Sequence, residues 1–576
     1  MHDLVIRNGK IIDGTGKPGF TGDVAIDAGR IIAVGVKAGA GRREIDATGL
    51  LVAPGWVDIH THYDGQTFWD PYLSPSSWHG VTTVVMGNCG VGFAPVARGY
   101  EEFLIGMMET VEDIPGQALS TSIKWQWESF SQYLDAIGQI SRAIDVGTQV
   151  PHCAVRAYVM GERGIHNEEA TSDDIAKMAA LVREALDAGA LGLSTSRTAA
   201  HRAKSKEFVP GTFATQAELS GLGRALGEAG HGTFQIVSDL IGDETEMEWI
   251  ARLSKETRRP ATFGAVVGNT TTEMLHQLMR LVAAANANGA HLAPQIAARP
   301  AAALMGLEAS VHPFITHRAY RPLAKLGLEE RVARMRDPAV RAQILNDAPA
   351  VKEALTLRMV TNFENYFQLG DPPDYEPTRE MSIAQRAARA GVTPQELTYD
   401  IMLERGGHEL IYMPFTYLDY SLESNRELML DPAVILGQGD GGAHCGLICD
   451  ATMPTFLLTH WVRDRKRGAL LPLELAVKRH TRDTALLYGL ADRGRLAPGM
   501  KADLNLIDFD NLHMHAPEMV YDLPGRGRRL VQRAEGYSYT VVSGEIIFEH
   551  GVPTGAMPGR LIRGPQPAAV KESLVG

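Results

Sequence analysis

Two histidines separated by one residue, His60 and His62, are the residues of this sequence that most directly indicate chemistry. They follow the apolar run 50–57 and stand where a strand is expected to end. Residues two apart on a strand project from the same face, so both imidazoles are expected to point beyond the strand tip. Imidazole nitrogen binds zinc and related ions, and two such ligands make half of a metal site. An arbitrary pair at this spacing is more often a surface pair or a hydrogen-bonded buried histidine, but the strand context here favours a metal.

Two further strand ends carry residues suited to the same site. Cys89 stands between Gly87-Asn88 and Gly90, and as a thiolate it would bridge or complete a metal site with the two histidines. Its alternative role is that of a small buried apolar side chain. Asp440 ends the run 434–440 among several glycines. A carboxylate placed there can bind a metal and accept a proton from water.

Six other polar residues lie close to predicted strand ends. Asp64 and His444 are expected to orient the metal ligands through hydrogen bonds. The remaining four are candidates for substrate binding, although each has an equal claim to be a structural hydrogen-bonded group. These four are His152, Arg156, Arg197 and His201.

The segments that must position these residues alternate between apolar strands and helices. Strands are predicted at 57–62, 81–88, 145–153, 190–195, 232–238, 261–267, 291–296 and 434–440. Amphipathic helices fill many of the gaps, most clearly at 171–188 with Thr171 or Ser172 as N-cap. Eight strands in β–α alternation predict an α/β fold of the (β/α)8 TIM-barrel type, with catalytic groups at the carboxyl ends of the strands.

Both ends of the chain predict a second, smaller unit. Short strands separated by glycine turns occupy residues 3–50, and similar strands recur from 502 to 548. We therefore expect a small β-sandwich built from residues 1–53 and 491–576, flanking a barrel of residues 54–490. The helix-rich stretch 297–432 is longer than a connection requires and is predicted to be an insertion that covers the active site.

Composition favours a small-molecule substrate. The chain carries 56 basic and 68 acidic residues, a net charge of -12, which points away from nucleic acid and anionic membranes as partners. Four cysteines in 576 residues are too few for a disulfide framework. Neither a secretory signal nor an apolar run of the roughly 20 residues that span a bilayer is recognisable, so a cytoplasmic location is predicted. A homo-oligomer is compatible with the sequence, which leaves the oligomeric state open.

Longer motifs surround the candidate residues. They are Val-Asp-Ile-His-Thr-His-Tyr-Asp at 57–64, Met-Gly-Asn-Cys-Gly-Val-Gly at 86–92, Gly-Ala-Leu-Gly-Leu-Ser-Thr at 189–195, Gly-Asp-Gly at 439–441, and Leu-Ala-Pro-Gly-Met-Lys-Ala-Asp-Leu at 496–504. With these motifs the chain resembles the N-acyl-D-amino-acid deacylases, or D-aminoacylases, of the metal-dependent amidohydrolase superfamily. The resemblance implies a TIM barrel with a split β-sandwich, zinc, and amide hydrolysis.

By position within those motifs, His60 and His62 resemble the histidine ligands of the family's first strand, Cys89 its cysteine ligand, and Asp440 its catalytic aspartate. The family's histidines on the fifth and sixth strands are missing, since Val237 and Ala265 stand at those places. One zinc ion is therefore expected, bound by His60, His62, Asp440 and Cys89, while a second site is incomplete.

The substrate is less closely defined than the metal. The basic residues that hold the substrate carboxylate in the family would fall near Val267 and Ala451, which are uncharged, so Arg156, Arg197 or a residue of the insertion would have to replace them. Hydrolysis of a carboxamide is the leading hypothesis, with Asp440 taking a proton from water and returning it to the leaving amine. Cyclic or aromatic amides are alternative substrates within the superfamily. A degenerate barrel that only binds a ligand is a further, less favoured alternative.

Overall fold

The computed structural model describes residues 1–266 and 270–568. The chain begins with five strands joined by short turns. They are β1 (His2–Ile11), β2 (Phe20–Asp27), β3 (Arg30–Val34), β4 (Gly41–Asp46) and β5 (Leu51–Pro54). Apolar residues on one face, such as Val24 and Ile26, are fully buried, as expected for strands packed on one side.

The strands that follow are mostly parallel. They are β6 (Trp56–Asp58), β7 (Val81–Met86), β8 (Asp145–Thr148), β9 (Val150–Pro151), β10 (Gly192–Arg197), β11 (Thr233–Ser238), β12 (Ala261–Gly264) and β13 (Leu292–Ile296). The residue Gln149 alone separates β8 from β9. These strands occupy seven of the eight predicted positions, and the eighth is the later strand β17.

Helices connect these strands. They are α1 (Glu101–Val111), α2 (Gly116–Ser122), α3 (Phe130–Gly138), α4 (His152–Met160), α5 (Glu162–Ile165), α6 (Ser172–Ala188), α7 (Gln216–Ala229), α8 (Glu244–Thr257) and α9 (Thr272–Ala287). The predicted N-cap of α6 is confirmed: the Thr171 side chain accepts from the Asp174 backbone N–H at 3.2 Å, and Asp174 accepts from the Thr171 backbone N–H at 2.9 Å. The helix ends at Gly189 with φ 119°, a left-handed conformation that glycine adopts without strain.

Residues 297–432 contain three short strands and six helices. They are β14 (Ala302–Met305), α10 (Leu328–Met335), α11 (Pro338–Leu345), α12 (Ala354–Thr361), β15 (Phe367–Gln368), α13 (Ile383–Ala390), α14 (Pro394–Met402), β16 (Ile411–Pro414) and α15 (Glu423–Leu430). The segment has its own apolar cluster, which includes Phe314, Tyr366 and Tyr399. It therefore packs as a compact addition rather than as an extended loop.

The last part of the chain returns to the parallel strands and then to the terminal sheet. Its elements are β17 (Ile435–Leu436), α16 (Met453–Phe456) continuing as π-helix (Leu457–Asp464), α17 (Leu473–Lys478) continuing as π-helix (Arg479–Asp483), α18 (Thr484–Leu487), β18 (Leu504–Ile507), β19 (His513–Met514), β20 (Glu518–Leu523), β21 (Gly527–Val531), β22 (Ala534–Glu535), β23 (Tyr537–Val542), β24 (Glu545–Glu549) and β25 (Val552–Pro553). Short 3₁₀ turns lie at Gln66–Phe68, Ser76–His79, Leu323–Lys325, Phe363–Asn365, Arg379–Met381, Glu404–Gly407, Leu418–Tyr420 and Pro524–Arg526.

The parallel strands form two neighbouring sheets. One has the order β6-β7-β8 and the other β9-β10-β11-β12-β13-β17. Beyond the ends of β6 and β17, Thr61 and Gly441 form a parallel bridge, which brings the first and eighth strand positions together. This β–α alternation confirms the predicted α/β fold class and places the carboxyl ends of β6, β7 and β17 side by side.

The two ends of the chain share one nine-stranded sheet, in the order β25-β24-β23-β18-β5-β1-β2-β3 with β4 beside β1. The central link is antiparallel pairing of β5 with β18, from Leu51 with Ile507 to Pro54 with Leu504. The predicted association of the N- and C-terminal strands is therefore observed. No helix among the described residues combines the length and the apolar character needed to cross a membrane.

Candidate metal centre

Four predicted residues converge where β6, β7 and β17 end. His60 and His62 follow β6, and Cys89 follows β7. The Cys89 Sγ lies 3.4 Å from the His60 Nε2 and 3.9 Å from the His62 Nε2. All three side chains are buried. The structure thus brings both imidazoles and the thiol to one point, as the sequence predicted.

Asp440 reaches the same point from the eighth strand position. Its Oδ1 lies 3.4 Å from the His60 Nε2 and 3.7 Å from the His62 Nε2. The backbone fixes this approach, because the Asp440 N–H donates to the His60 carbonyl at 2.9 Å and the His62 N–H donates to the Gly441 carbonyl at 2.7 Å. The carboxylate and the imidazoles are therefore held by the same strand-end hydrogen bonds.

The backbone of this centre is strained. Cys89 has φ 56° and Asp440 has φ 45°, both in the left-handed region that non-glycine residues rarely occupy. Gly439 beside Asp440 has no space for a side chain, since a Cβ there would lie 2.6 Å from the Asp58 carboxylate. Such strain persists when the surrounding structure enforces it, and it is concentrated at functional sites.

Buried partners set the tautomer of His60. Its Nδ1 lies 2.8 Å from the Gln295 Oε1, and the Gln295 Nε2 donates to the Thr262 hydroxyl at 3.0 Å. Because the amide group uses its N–H toward Thr262, its oxygen faces His60 and accepts from Nδ1–H. The Nε2 lone pair of His60 is then free to face the centre, an arrangement typical of histidines that bind a metal.

Glu112 faces the other imidazole, His62, as an ion pair without a hydrogen bond. Its Oε1 lies 3.4 Å from the His62 Nδ1, and its Oε2 lies 3.8 Å from the His444 Nε2. The carboxylate is buried at the end of α1. A carboxylate behind a histidine orients the ring and increases its basicity as a ligand. Glu112 thus links His444 and His62, and the His444 backbone N–H also donates to the Glu112 carbonyl.

At this centre, neighbouring charges counteract the effect of burial on the pKa values of His62 and Asp440. Burial alone would lower the pKa of His62, but Glu112, Asp440 and Cys89 hold it well above its usual value. Burial would raise the pKa of Asp440, but His62, His60 and His444 hold it far below its usual value. Burial lowers the pKa of His60 and raises the pKa of the Cys89 thiol to about 12. A cation at this point would favour the neutral imidazoles and the thiolate.

The donor set and its spacing fit a single divalent ion. For bond lengths of about 2.0–2.1 Å to nitrogen and about 2.3 Å to sulfur, neighbouring ligand atoms of a tetrahedral zinc site lie roughly 3.3–3.7 Å apart. The four measured separations run from 3.4 to 3.9 Å. Two imidazoles, one thiol and one carboxylate are ligands that zinc accepts. His60, His62 and Cys89 therefore form one group whose ligand atoms all lie within 4.8 Å of one another, and Asp440 lies beside its two imidazoles.

Two other predicted residues lie around this centre. Asp64 is buried, and its Oδ2 accepts from the Gly87 backbone N–H at 3.2 Å, which fixes the loop that carries Cys89. The His201 Nδ1 lies 2.9 Å from the Ser196 hydroxyl. Burial, together with the nearby His444 and His62, lowers the pKa of His201 to about 4. His201 is therefore a neutral polar group beside the candidate ligands.

Three predicted residues form hydrogen bonds and ion pairs with groups outside the metal centre. The two ring nitrogens of His152 lie 2.8 Å from the Thr195 hydroxyl and 3.0 Å from Glu218. Arg156 is also buried and donates to Glu218 at 2.9 Å and to two backbone carbonyls. Arg197 donates to both oxygens of Glu246. The expectation that Arg156 or Arg197 presents a free guanidinium to a substrate carboxylate is not met, because buried carboxylates already neutralise both.

The fifth and sixth strands supply other side chains in place of histidine. On β11 the Gln235 Oε1 accepts from the Cys89 backbone N–H at 3.0 Å, while Val237 follows two residues later. Ala265 is buried just beyond β12. Val267 lies outside the described residues. Ala451 is buried beside Asp450, whose carboxylate pairs with Arg299 at 3.2 Å.

The sequence did not indicate Glu112 and Gln295 as the partners of His62 and His60. Glu112 ends an ordinary amphipathic helix, and Gln295 lies in the middle of an apolar strand. Their only local signal is a polar residue at a buried position of such an element, which is uncommon without a partner.

Imidazoles, a thiol and a carboxylate at the carboxyl ends of neighbouring strands of an α/β fold define a metal-dependent hydrolase. The model of the Amidohydrolase family matches residues 43–548. The chain therefore belongs to the amidohydrolase family. This confirms the predicted family and the predicted reaction class, metal-dependent hydrolysis of a carbon–nitrogen amide bond, and the comparisons do not favour the alternative of a non-catalytic barrel.

Individual relatives cover nearly the whole chain. A D-aminoacylase of Alcaligenes xylosoxydans xylosoxydans is 26% identical over 571 residues, which is 97% of both chains. A solved D-aminoacylase, described by its binuclear metal centre with one-metal activation and second-metal attenuation, superposes with a TM-score of 0.65 at 24% identity, covering 98% of this chain and 100% of the other. N-acyl-D-glutamate deacylase from Bordetella bronchiseptica, solved with zinc and a phosphonate inhibitor, gives a TM-score of 0.63 at 23% identity, with 98% and 100% coverage. These structures share the fold of this chain.

Proposed function

We propose that this protein hydrolyses the amide bond of an N-acyl-D-amino acid with one zinc ion at the centre formed by His60, His62, Cys89 and Asp440. The observation that carries the proposal is the convergence of these side chains from three separate strand positions: both the Cys89 Sγ and the Asp440 Oδ1 lie 3.4–3.9 Å from the Nε2 atoms of His60 and His62. The full-length similarity to a D-aminoacylase supports the substrate class.

We propose further that the eight parallel strand positions form a (β/α)8 barrel over residues 54–490. The bridge between Thr61 and Gly441 supports closure between its first and eighth strands. Residues 1–53 and 491–576 would form the β-sandwich beside it, and residues 297–432 would be the insertion that covers the site. The separate apolar cluster of that insertion supports its assignment as a unit.

Zinc bound here would act as a Lewis acid that polarises the scissile carbonyl. It would also lower the pKa of bound water toward neutral pH. His60 and His62 would hold it through their Nε2 atoms, Cys89 through its thiolate and Asp440 through Oδ1. One ion is expected because, among the described residues around this centre, the group of potential ligands comprises His60, His62 and Cys89 together with the nearby Asp440.

Asp440 is the residue best placed to move a proton. It is a carboxylate at neutral pH and lies beside both imidazoles, so it can accept the proton of an attacking water. After the carbon–nitrogen bond breaks, the same group can return that proton to the leaving amine. The hydrogen bond from its backbone N–H to the His60 carbonyl keeps the carboxylate in position.

Glu112, Gln295 and Asp64 would act as positioning residues. Gln295 would hold His60 through a hydrogen bond and Glu112 would hold His62 through charge, each leaving Nε2 inward, and Asp64 fixes the loop that carries Cys89. His444, at 22% exposed, is the more accessible partner of Glu112 and is positioned to meet a substrate.

The proposal is tested by product analysis on N-acetyl-D-amino acids, their L-enantiomers, simple N-acylated amines and hydantoins. Release of free D-amino acid by zinc-loaded protein, with loss of that release in Asp440→Asn, is the expected result. Equal rates for both enantiomers would remove the D-amino-acid assignment while leaving amide hydrolysis. Turnover of hydantoins alone would replace the linear amide with a cyclic one.

A further inference from the structure

A second group of histidines lies on the protein surface, outside the catalytic centre. His513 and His515 lie on and just after β19, and Glu535 is on β22, directly opposite His513 in the antiparallel register. The His515 Nε2 is 3.0 Å and the His513 Nε2 is 3.8 Å from the two oxygens of Glu535. The three side chains are 47% to 66% exposed, so solvent and solutes reach them freely.

The geometry of the rings leaves ligand atoms available. The His513 Nδ1 lies 2.8 Å from the Asn511 carbonyl oxygen, which can only accept, so Nδ1 carries the proton and the Nε2 of the neutral ring presents a lone pair. The two ring centroids are 5.0 Å apart. One ligand atom from each of the three side chains lies within 4.8 Å of the others.

We propose that His513, His515 and Glu535 bind a divalent transition-metal ion of the zinc–copper class. Two imidazoles and one carboxylate are the ligands that such ions prefer over calcium or magnesium, which favour oxygen. The open side of the site faces solvent, so water would complete the coordination. In the described part of the chain, this group and the catalytic one are the groups in which three histidine, cysteine or acidic side chains come this close.

Ion pairing alone explains this arrangement less well than binding of a divalent ion does. The exposed His408, for example, pairs with Glu308 at 3.0 Å without a second imidazole. At β19 and β22, one carboxylate is shared by two imidazoles that are neighbours on the same strand face. A single glutamate neutralises at most one imidazolium, whereas a divalent ion uses both rings and the carboxylate together.

The pair of strands is anchored to the body of the protein. The Gln532 side chain donates to the His515 carbonyl at 2.7 Å, and the Gln532 carbonyl lies 2.8 Å from the Nε2 of the buried His79. The backbone that carries the site is therefore fixed before any ion arrives, which limits the ordering cost of binding.

The experiment uses the full chain with its catalytic centre loaded with zinc, and Cu²⁺ as the probe because copper binds such ligands most strongly in the divalent series. Copper bound per chain is measured by titration calorimetry and by electron paramagnetic resonance. The expected result is one copper ion per chain with nitrogen hyperfine structure, and its loss in the double variant His513→Ala/His515→Ala. Glu535→Gln should bind the same ion more weakly.

The matched control is His408→Ala, which removes an exposed histidine from a histidine–glutamate pair that lacks a second imidazole. It should bind copper as the parent protein does. The inference is overturned if the parent protein binds no such ion, or if the double variant binds it with unchanged affinity. Copper that displaces zinc from the catalytic centre is recognised by released zinc and by loss of amidase activity. Neither outcome bears on the proposed reaction, which is tested by product analysis.

Discussion

The chain contains the sequence histidine-any-histidine twice, at 60–62 and at 513–515, and the two pairs lie in opposite environments. His60 and His62 are 5% and 1% exposed, whereas the side chains of His513 and His515 are 51% and 47% exposed. Both pairs meet a carboxylate. The spacing of two histidines therefore shows that their rings share a strand face, but the surroundings decide what the pair can do.

The buried pair is held by partners that the exposed pair lacks. Gln295 and Glu112 contact the Nδ1 atoms of the buried pair, and Cys89 and Asp440 face the Nε2 atoms. Low dielectric strengthens these charge interactions, while water and salt weaken those at the surface. The difference predicts a tightly bound catalytic ion at one site and an exchangeable ion at the other.

The largest effect is expected from His60→Ala. Removing one of the clustered ligands should abolish zinc binding at the buried centre and reduce amide hydrolysis to background, because the ion supplies the main electrophile. Elemental analysis and turnover of an N-acetyl-D-amino acid measure the two losses. The control, His513→Ala, should keep full activity. A His60→Ala protein that retained both zinc and activity would contradict the proposed centre.

Asp440→Asn should remove the general base, and because Asp440 is also a proposed zinc ligand, zinc content is measured beside kcat. The amide is nearly isosteric but cannot accept a proton, so kcat should fall by about 10²–10⁴-fold, the usual contribution of a general base. Circular dichroism and copper binding at the surface group should be unchanged. If kcat stayed within a factor of a few of the parent value, another group would have to move the proton.

Glu112→Gln should weaken the buried ion without removing a ligand. Loss of the carboxylate behind His62 is expected to lower zinc affinity by about 10–100-fold, measured by competition with a chelator. Glu218→Gln is the matched control. Like Glu112, Glu218 is a buried carboxylate that faces a histidine, but its second partner is an arginine. This control variant should lower the melting temperature but leave zinc affinity unchanged. Equal zinc affinity in parent and Glu112→Gln would remove the positioning role.

Glu535→Gln should have the smallest effect on the enzyme. Exposed substitutions of this kind change the free energy of unfolding by less than about 0.5 kcal/mol, so stability and amide hydrolysis should remain at parent levels. Only copper affinity at the surface group should fall. A loss of catalysis in this variant would show that the two groups are coupled, and the contrast between an independent surface site and the catalytic centre would then fail.

Much of the fold followed from local sequence. The apolar segments of the parallel strands and the N-cap at Thr171 were predictable because they depend on patterns within a few residues. Strand lengths were overestimated: the predicted 57–62 and 434–440 end as regular strands at Asp58 and Leu436. The residues beyond them bend toward the site, where their hydrogen bonds are irregular.

The site was predictable only in part. His60, His62, Cys89 and Asp440 follow strands, so topology brings them together, and their metal-binding role remains a prediction. Glu112 and Gln295 came from elements whose local patterns give no sign of a partner. For Arg156 the sequence showed a basic residue near a strand end, but it could not show that Glu218, 62 residues away, would neutralise it in the core.

The pairing of β5 with β18 has a consequence for how the enzyme is made. Only Gly55 separates β5 from β6, the strand that leads to His60, and the Gly55 N–H itself donates to the Asp503 carbonyl at 2.9 Å. During synthesis, β5 cannot pair with β18 until about residue 507 has left the ribosome. The strand that leads to the first two histidines is therefore anchored late in synthesis, and proteins truncated before β18 should fold less stably around the metal centre.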